Sequence, residues 1–259
     1  MSPCALAHRI AGPPDAPVVV LTGSLGTRLS MWEPQAQALA QRLRVVSCDV
    51  RGHGDSPVPR GPYSIPDLGG DLIALLDRLE VERAHLCGLS IGAMVSLWAA
   101  AHAPERVERL IVCCTTARFG ADAASAYSER AQTVRARGME GLADGVIARW
   151  FTPEFAAACP GVVARMRAEL VATPAEGYAA CCEALAGLDL TPDLSRIAAP
   201  TLVIAGQRDQ ATPPEHGEAI AGAVVGARFV ALPDAAHLAS VERPERVTDL
   251  LERFLTRAD

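Results

Sequence analysis

Six short apolar runs separated by longer helical patterns constrain this chain of 259 residues more than any other feature. They are Val18–Gly23, Arg44–Val50, Ala84–Leu89, Arg109–Cys114, "PTLVIAG" (200–206) and "ARFVALP" (227–233). None alternates strictly between apolar and polar residues. Strands of that kind are buried on both faces, as in a parallel sheet covered by helices. Between them, Met31–Leu43, Asp67–Glu80, Ile91–Ala101 and Glu245–Arg257 carry apolar residues at helical spacing. Strand and helix in alternation predict βαβ units and an α/β fold with a mostly parallel sheet. The rhythm fails from about 118 to 188, an Ala-rich stretch with no strand pattern. The expected organisation is therefore a core of residues 1–117 and 189–259, with 118–188 inserted between two core strands as an all-helical cap. "DVRGHGDSPVPRGPYS" (49–64) is dense in Gly and Pro and reads as a loop.

Composition narrows the partners. Half the residues are apolar, enough for a sizeable core. The net charge of -6 argues against nonspecific attraction to nucleic acid or to an anionic membrane. The basic residues are all arginine. The first residues hold no apolar stretch of signal-peptide length, and no later run is long enough to span a bilayer. Eight cysteines occur without a CxxC spacing, four of them in strand-like runs where a reduced thiol acts as a small hydrophobe. A disulfide framework or zinc site is not expected, and the reading is a reducing cytoplasm.

One stretch points to chemistry. Gly88-Leu89-Ser90-Ile91-Gly92 joins a predicted strand to a predicted helix. A serine in a strained, exposed turn needs small neighbours two positions either way, and this is the context of a nucleophile elbow. The helix start would aim free N–H groups at whatever Ser90 attacks, the Ile91 N–H being half of an oxyanion hole. Serine is a weak nucleophile at its free pKa, so a base and an orienting acid are required; in the fold that carries such an elbow they follow in the chain order Ser, acid, His. Asp209 follows the run at 200–206 and His237 the run at 227–233. Asp234 is the rival acid, close enough to His237 in sequence to cap its own turn. His53, in "RGHG", reads as a loop-stabilising residue. The second oxyanion donor should come from "GSLGTRLSMW" (23–32), where the Leu25 N–H is favoured.

With these residues in place, the chain resembles the α/β-hydrolases. More narrowly it resembles the 3-oxoadipate enol-lactonases of the β-ketoadipate pathway. The resemblance rests on "SLGTRLSMWEPQ", "DVRGHGDSPVPRGPYSIPDLG", "GLSIGAM", "RWFTPEF", "IAGQRDQATPP" and "AAHLASVERPE", which reach across almost the whole chain. It implies an α/β-hydrolase fold with a helical cap, a triad of Ser90, Asp209 and His237, and Trp150 in the cap over the substrate. It also implies a small lactone bearing an anionic acetate arm, and chemistry that needs no metal or organic cofactor. A buried carboxylate needs a partner, and guanidinium suits it. Arg149, beside Trp150, and Arg137 are the candidates from the arginine-rich cap. The chain departs from the family where Gly23 stands for a frequent Asn and Ala93 for a frequent Gly. Another small-ester or lactone esterase, a perhydrolase, a C–C bond hydrolase and a noncatalytic ligand-binding protein on the same scaffold are the alternatives. Oligomeric state is not readable from the sequence.

Overall fold

The computed structural model describes residues 2–256. Among them a seven-stranded sheet has the order β1-β3-β2-β4-β5-β6-β7. The strands are β1 (His8–Ala11), β2 (Val18–Thr22), β3 (Arg44–Cys48), β4 (Ala84–Leu89), β5 (Val107–Cys113), β6 (Thr201–Gly206) and β7 (Arg228–Leu232). All pairs are parallel except β1 with β3. Every residue of β2, β4 and β6 is buried, which is why their sequences do not alternate. The helices α1 (Glu33–Leu39), α2 (Ile65–Arg78) and α3 (Ile91–His102) connect the early strands. Five more follow β5 among the described residues: α4 (Ala121–Arg137), α5 (Glu140–Trp150), α6 (Pro153–Ala158), α7 (Pro160–Val171) and α8 (Ala175–Ala186). The chain then returns through β6, α9 (Pro214–Ala223), β7, α10 (Ala239–Glu242) and α11 (Pro244–Leu255).

Strand order locates the site. β2 has β3 on one side and β4 on the other, so the chain reverses its winding direction between β2 and β4. Ligands of open α/β sheets bind beyond the carboxyl ends of the strands at such a switch point. Thr22 lies opposite Gly88 in the β2–β4 register, so the loops after both strands leave the sheet at the same height. The α4–α8 stretch also leaves and returns at that end. An isolated antiparallel bridge joins Arg118 to Asp189, and the Leu190 N–H donates to the Ala117 carbonyl at 2.8 Å.

Three differences from the sequence reading have local causes. The helix expected over 31–43 is a 3₁₀ turn (Leu29–Trp32) followed by the shorter α1, because Pro34 lacks the N–H a helix interior needs and starts a new helix instead. α2 begins two residues early because Ser64 and Asp67 form a reciprocal capping box and Pro66 suits the first turn. β1 carries no burial pattern at all, being a four-residue exposed edge strand.

The loop after β3 is anchored by charge. Arg51 and Asp71 pair through two bonds of 2.7 and 2.6 Å, their side chains 0% and 1% exposed. Asp71 also accepts the Cys4 N–H at 2.6 Å, tying the amino-terminal segment to α2. Replacing Asp71 by alanine leaves a buried guanidinium without its carboxylate, which should cost about 3–5 kcal/mol. The expected result is a lower denaturant midpoint at unchanged slope; a midpoint equal to wild type would refute this account.

Candidate active site

Ser90 sits at the β4–α3 junction with φ 57° and ψ −118°, a left-handed conformation rare for a residue with a side chain. The surroundings hold it there. Its N–H donates to the Cys113 carbonyl at 3.0 Å, and its own carbonyl accepts from Met94 N–H and from Thr115 Oγ1, both at 3.0 Å. The flanking glycines are required by space. A Cβ on Gly88 would stand 2.3 Å from the Gly92 carbonyl group, and one on Gly92 would stand 2.5 Å from the Thr22 carbonyl oxygen. That close approach lets Gly92 N–H donate to Gly23 O at 3.2 Å and Thr22 Oγ1 to Gly92 O at 3.1 Å. The β2 loop is thereby stitched to the elbow. Among the described residues, neither the Leu25 nor the Ile91 N–H donates to a protein acceptor. Ile91 opens α3, so no carbonyl of its own helix can take that proton.

His237 follows β7 and is buried. Its Nδ1 lies 2.8 Å from Asp209 Oδ2. Asp209 is held in turn by Thr212 Oγ1 at 2.8 Å on Oδ2, and by the Ala211 and Thr212 N–H groups at 2.8 and 3.0 Å on Oδ1. Burial pushes the Asp209 carboxyl up, but the charge and hydrogen bond of His237 and the donors from Thr212 outweigh it, and the net shift is below the ordinary carboxylate value. An acceptor that is ionised at neutral pH keeps the proton on Nδ1 and turns the lone pair of Nε2 outward. Asp234 is engaged elsewhere, exposed and paired with Arg243 at 2.7 Å.

Ser90, His237, Leu25, Trp150 and Arg149 line one cavity of about 210 Å³. Arg130 lines it too. Its guanidinium lies over the Tyr127 ring at 5.1 Å. Other arginines of the helical stretch are neutralised: Arg135 by Glu176 and Glu183, Arg167 by Glu140 and Asp144. Among the described residues neither Arg130 nor Arg149 has a carboxylate within ion-pair distance. Burial and then the nearby charge of Arg130 lower the pKa of Arg149. Two half-buried cations without carboxylate partners thus stand beside one another in the cavity wall.

Arg137, one of the two arginines the sequence reading named, is not among the residues lining this cavity, whereas Arg130 is. Both lie on α4, but Arg137 is about two turns further along, roughly 10 Å, and is exposed on the last turn. Composition could single out a basic helix; only the docking of α4 selects the residue. His53 is buried in its loop, with Nδ1 3.2 Å from the Arg51 carbonyl, and burial pushes its pKa down to about 4. Glu242, buried and accepting the N–H of Ala236 next to His237, has no sequence signal beyond its place in "ASVERPE". Among the described residues no group of three or more His, Cys, Asp or Glu is gathered to hold a metal ion. Among them, too, no helix is long and apolar enough to cross a membrane.

Residues 16–244 match the family model of the alpha/beta hydrolase fold, and with the elbow and sheet order they define an α/β-hydrolase. The chain is 41% identical to 3-oxoadipate enol-lactonase 2 of Acinetobacter baylyi, over 98% of this chain and 94% of that protein. It is 35% identical to 3-oxoadipate enol-lactonase 1 of the same organism, over 96% and 92%. The crystal structure of the enol-lactonase from Burkholderia xenovorans superposes with a TM-score of 0.95 at 43% identity, covering 98% of this chain and 97% of that one. The chain belongs to the 3-oxoadipate enol-lactonase family, and it is a lactone and ester hydrolase.

Proposed function

We propose that this enzyme opens 3-oxoadipate enol-lactone to 3-oxoadipate, the lactone-hydrolysing step of the β-ketoadipate pathway of aromatic catabolism. The observation that carries the substrate is the pair Arg130 and Arg149, without acid partners, in the cavity that Ser90 and His237 also line. Ser90 Oγ attacks the ring carbonyl while His237 Nε2 takes its proton. Asp209 holds the imidazole tautomer and stabilises the imidazolium. The Leu25 and Ile91 N–H groups receive the oxyanion. The ring C–O bond breaks, the His237 imidazolium gives its proton to the departing enolate, and the enol tautomerises to a ketone, so re-closure does not compete. Water, its proton taken by the now neutral His237, then attacks the Ser90 ester; His237 returns that proton to Ser90 Oγ as the C–O bond breaks, and the second carboxylate is freed. The acetate-arm carboxylate lies against Arg149 and Arg130, with Trp150 as the apolar wall. Helices α4–α8 act as the cap that closes the site. Each step uses only side chains, backbone N–H groups and water, so no cofactor is called for. Eight free thiols fit a cytoplasmic location.

The test is the ultraviolet loss of freshly generated lactone, compared with that of its neutral methyl ester. Removing one partner of a desolvated charged pair costs about 2–5 kcal/mol, or roughly 30-fold to several thousand-fold in kcat/KM. Arg149→Ala and Arg130→Ala should impose that loss on the acid and spare the ester. Arg137→Ala, a solvated surface change, should be nearly silent. A wild-type preference for the ester would replace this reading by a general small-ester hydrolase. Equal losses on acid and ester would remove the arginines from carboxylate recognition.

A further inference from the structure

Both backbone neighbours of His237 are tied to one segment of the helical insertion. On one side, the Leu238 N–H donates to the Trp150 carbonyl at 3.0 Å. On the other, the Ala236 N–H donates to Glu242 Oε2 at 2.8 Å. Glu242 Oε1 accepts the Thr152 N–H at 3.2 Å and the Thr152 hydroxyl, ninety residues away in sequence. Thr152 Oγ1 in turn caps α6 by accepting the Phe155 N–H at 3.2 Å. His237 is thus slung between two ties to Trp150–Thr152, the segment whose first residue walls the cavity.

The chemistry of the bracket is specific. Three donors converge on one buried side chain, and only an acceptor with two oxygens satisfies both ends. Glutamine could serve either Thr152 or Ala236, but its amide would set a donor against the other. Among the described residues no cation is paired with it: the adjacent Arg243 is paired with Asp234. A buried carboxylate held by hydrogen bonds alone is an expensive way to pin a loop that apolar packing could hold. What it adds is directional precision across the joint between the insertion and the His237 loop.

We propose that Glu242 is a positioning residue: by bridging Thr152 to Ala236 it sets the imidazole of His237 at the depth at which Trp150 and the cavity wall hold the substrate. This rests on the reading of His237 as the base for Ser90. An error of about 1 Å in such a placement can cost 10²-fold in rate.

The test reads chemistry per active site rather than total activity. Ser90 is labelled with a fluorophosphonate, which counts competent sites and gives a rate for His237-assisted attack on a probe unrelated to the lactone. Turnover is then expressed per labelled site. Glu242→Gln should slow both labelling and kcat by about 10–100-fold and leave KM within about threefold. Thr152→Val, which lacks the hydroxyl, should move both rates in the same direction, and Thr152→Ser should restore them. Because the two residues form one bridge, the double variant Thr152→Val/Glu242→Gln should be no slower than Glu242→Gln alone. The proposal is overturned if Glu242→Gln only lowers the melting temperature while each labelled site works at the wild-type rate, or if the two single effects multiply in full. Should Glu242→Gln not fold, the Thr152 pair decides: Thr152→Val at the wild-type rate overturns it, and a slow Thr152→Val rescued by Thr152→Ser supports it. A wild type that takes no label would remove the catalytic reading and this one together. A wild type that takes the label but ignores the lactone would remove only the proposed substrate.

Discussion

Replacing Ser90 by alanine should lower turnover of the enol-lactone by about four to six powers of ten, the range found for nucleophilic serines of triads. The substitution removes one oxygen and keeps the Cβ, so the strained φ of 57° is no worse for alanine than for serine. The bonds that hold the turn run through the backbone to Cys113, Met94 and Thr115 and are untouched. Melting temperature and circular dichroism should therefore match wild type. The cavity keeps Arg130, Arg149 and Trp150, so 3-oxoadipate should still bind, measurable by calorimetry. Residual activity of about 10³–10⁴ over water would come from the oxyanion N–H groups and substrate placement alone. Retention of a tenth of wild-type activity by a preparation free of wild-type enzyme would mean that another group makes the attack.

Local chemistry was readable in the sequence, and docking was not. The β2, β4 and β6 runs were legible because strands buried on both faces are apolar throughout, whatever packs on them. The elbow was legible because its cause is also local: Gly88 and Gly92 crowd each other and the β2 loop within a few residues of Ser90. The placement of Asp209 and His237 at strand ends followed from chain order, and the structure sets them 2.8 Å apart. β1 was invisible because a fully exposed strand leaves no burial pattern. Arg130 was in view only as one of several cap arginines. Choosing it over Arg137 requires knowing where along α4 the cavity lies, a property of helix packing. Glu242 lay further out of reach, since its meaning depends on Thr152 across the insertion. Residues placed by local spacing or at the ends of core strands are legible; those placed only by how the insertion docks are not.

Asp209→Asn should lower turnover by about 10⁴, a loss smaller than that of Ser90 and typical of the triad aspartate. The argument is one of tautomers. Asp209 Oδ2 accepts from His237 Nδ1, while Oδ1 is committed to the N–H groups of Ala211 and Thr212. Asparagine would keep its oxygen on those two amides and turn its NH₂ toward Nδ1. The imidazole would then carry its proton on Nε2, the atom that takes the proton of Ser90 in the proposed mechanism. Asp234→Asn provides the control: it breaks only an exposed pair with Arg243, worth about 0–1 kcal/mol. Stability gives a second, independent reading. The folded Asp209 has a pKa below its unfolded value of about 3.9. Its contribution is therefore present above that value and lost as pH falls through the lower folded one, where the native state must finally take up the proton. Asparagine does not titrate, so the acid limb of the stability curve below about pH 4 should be shallower in the variant than in wild type. Near-normal turnover by Asp209→Asn with severe loss in Asp234→Asn would transfer the role to Asp234, and identical acid limbs would mean that Asp209 is not held ionised by its partners.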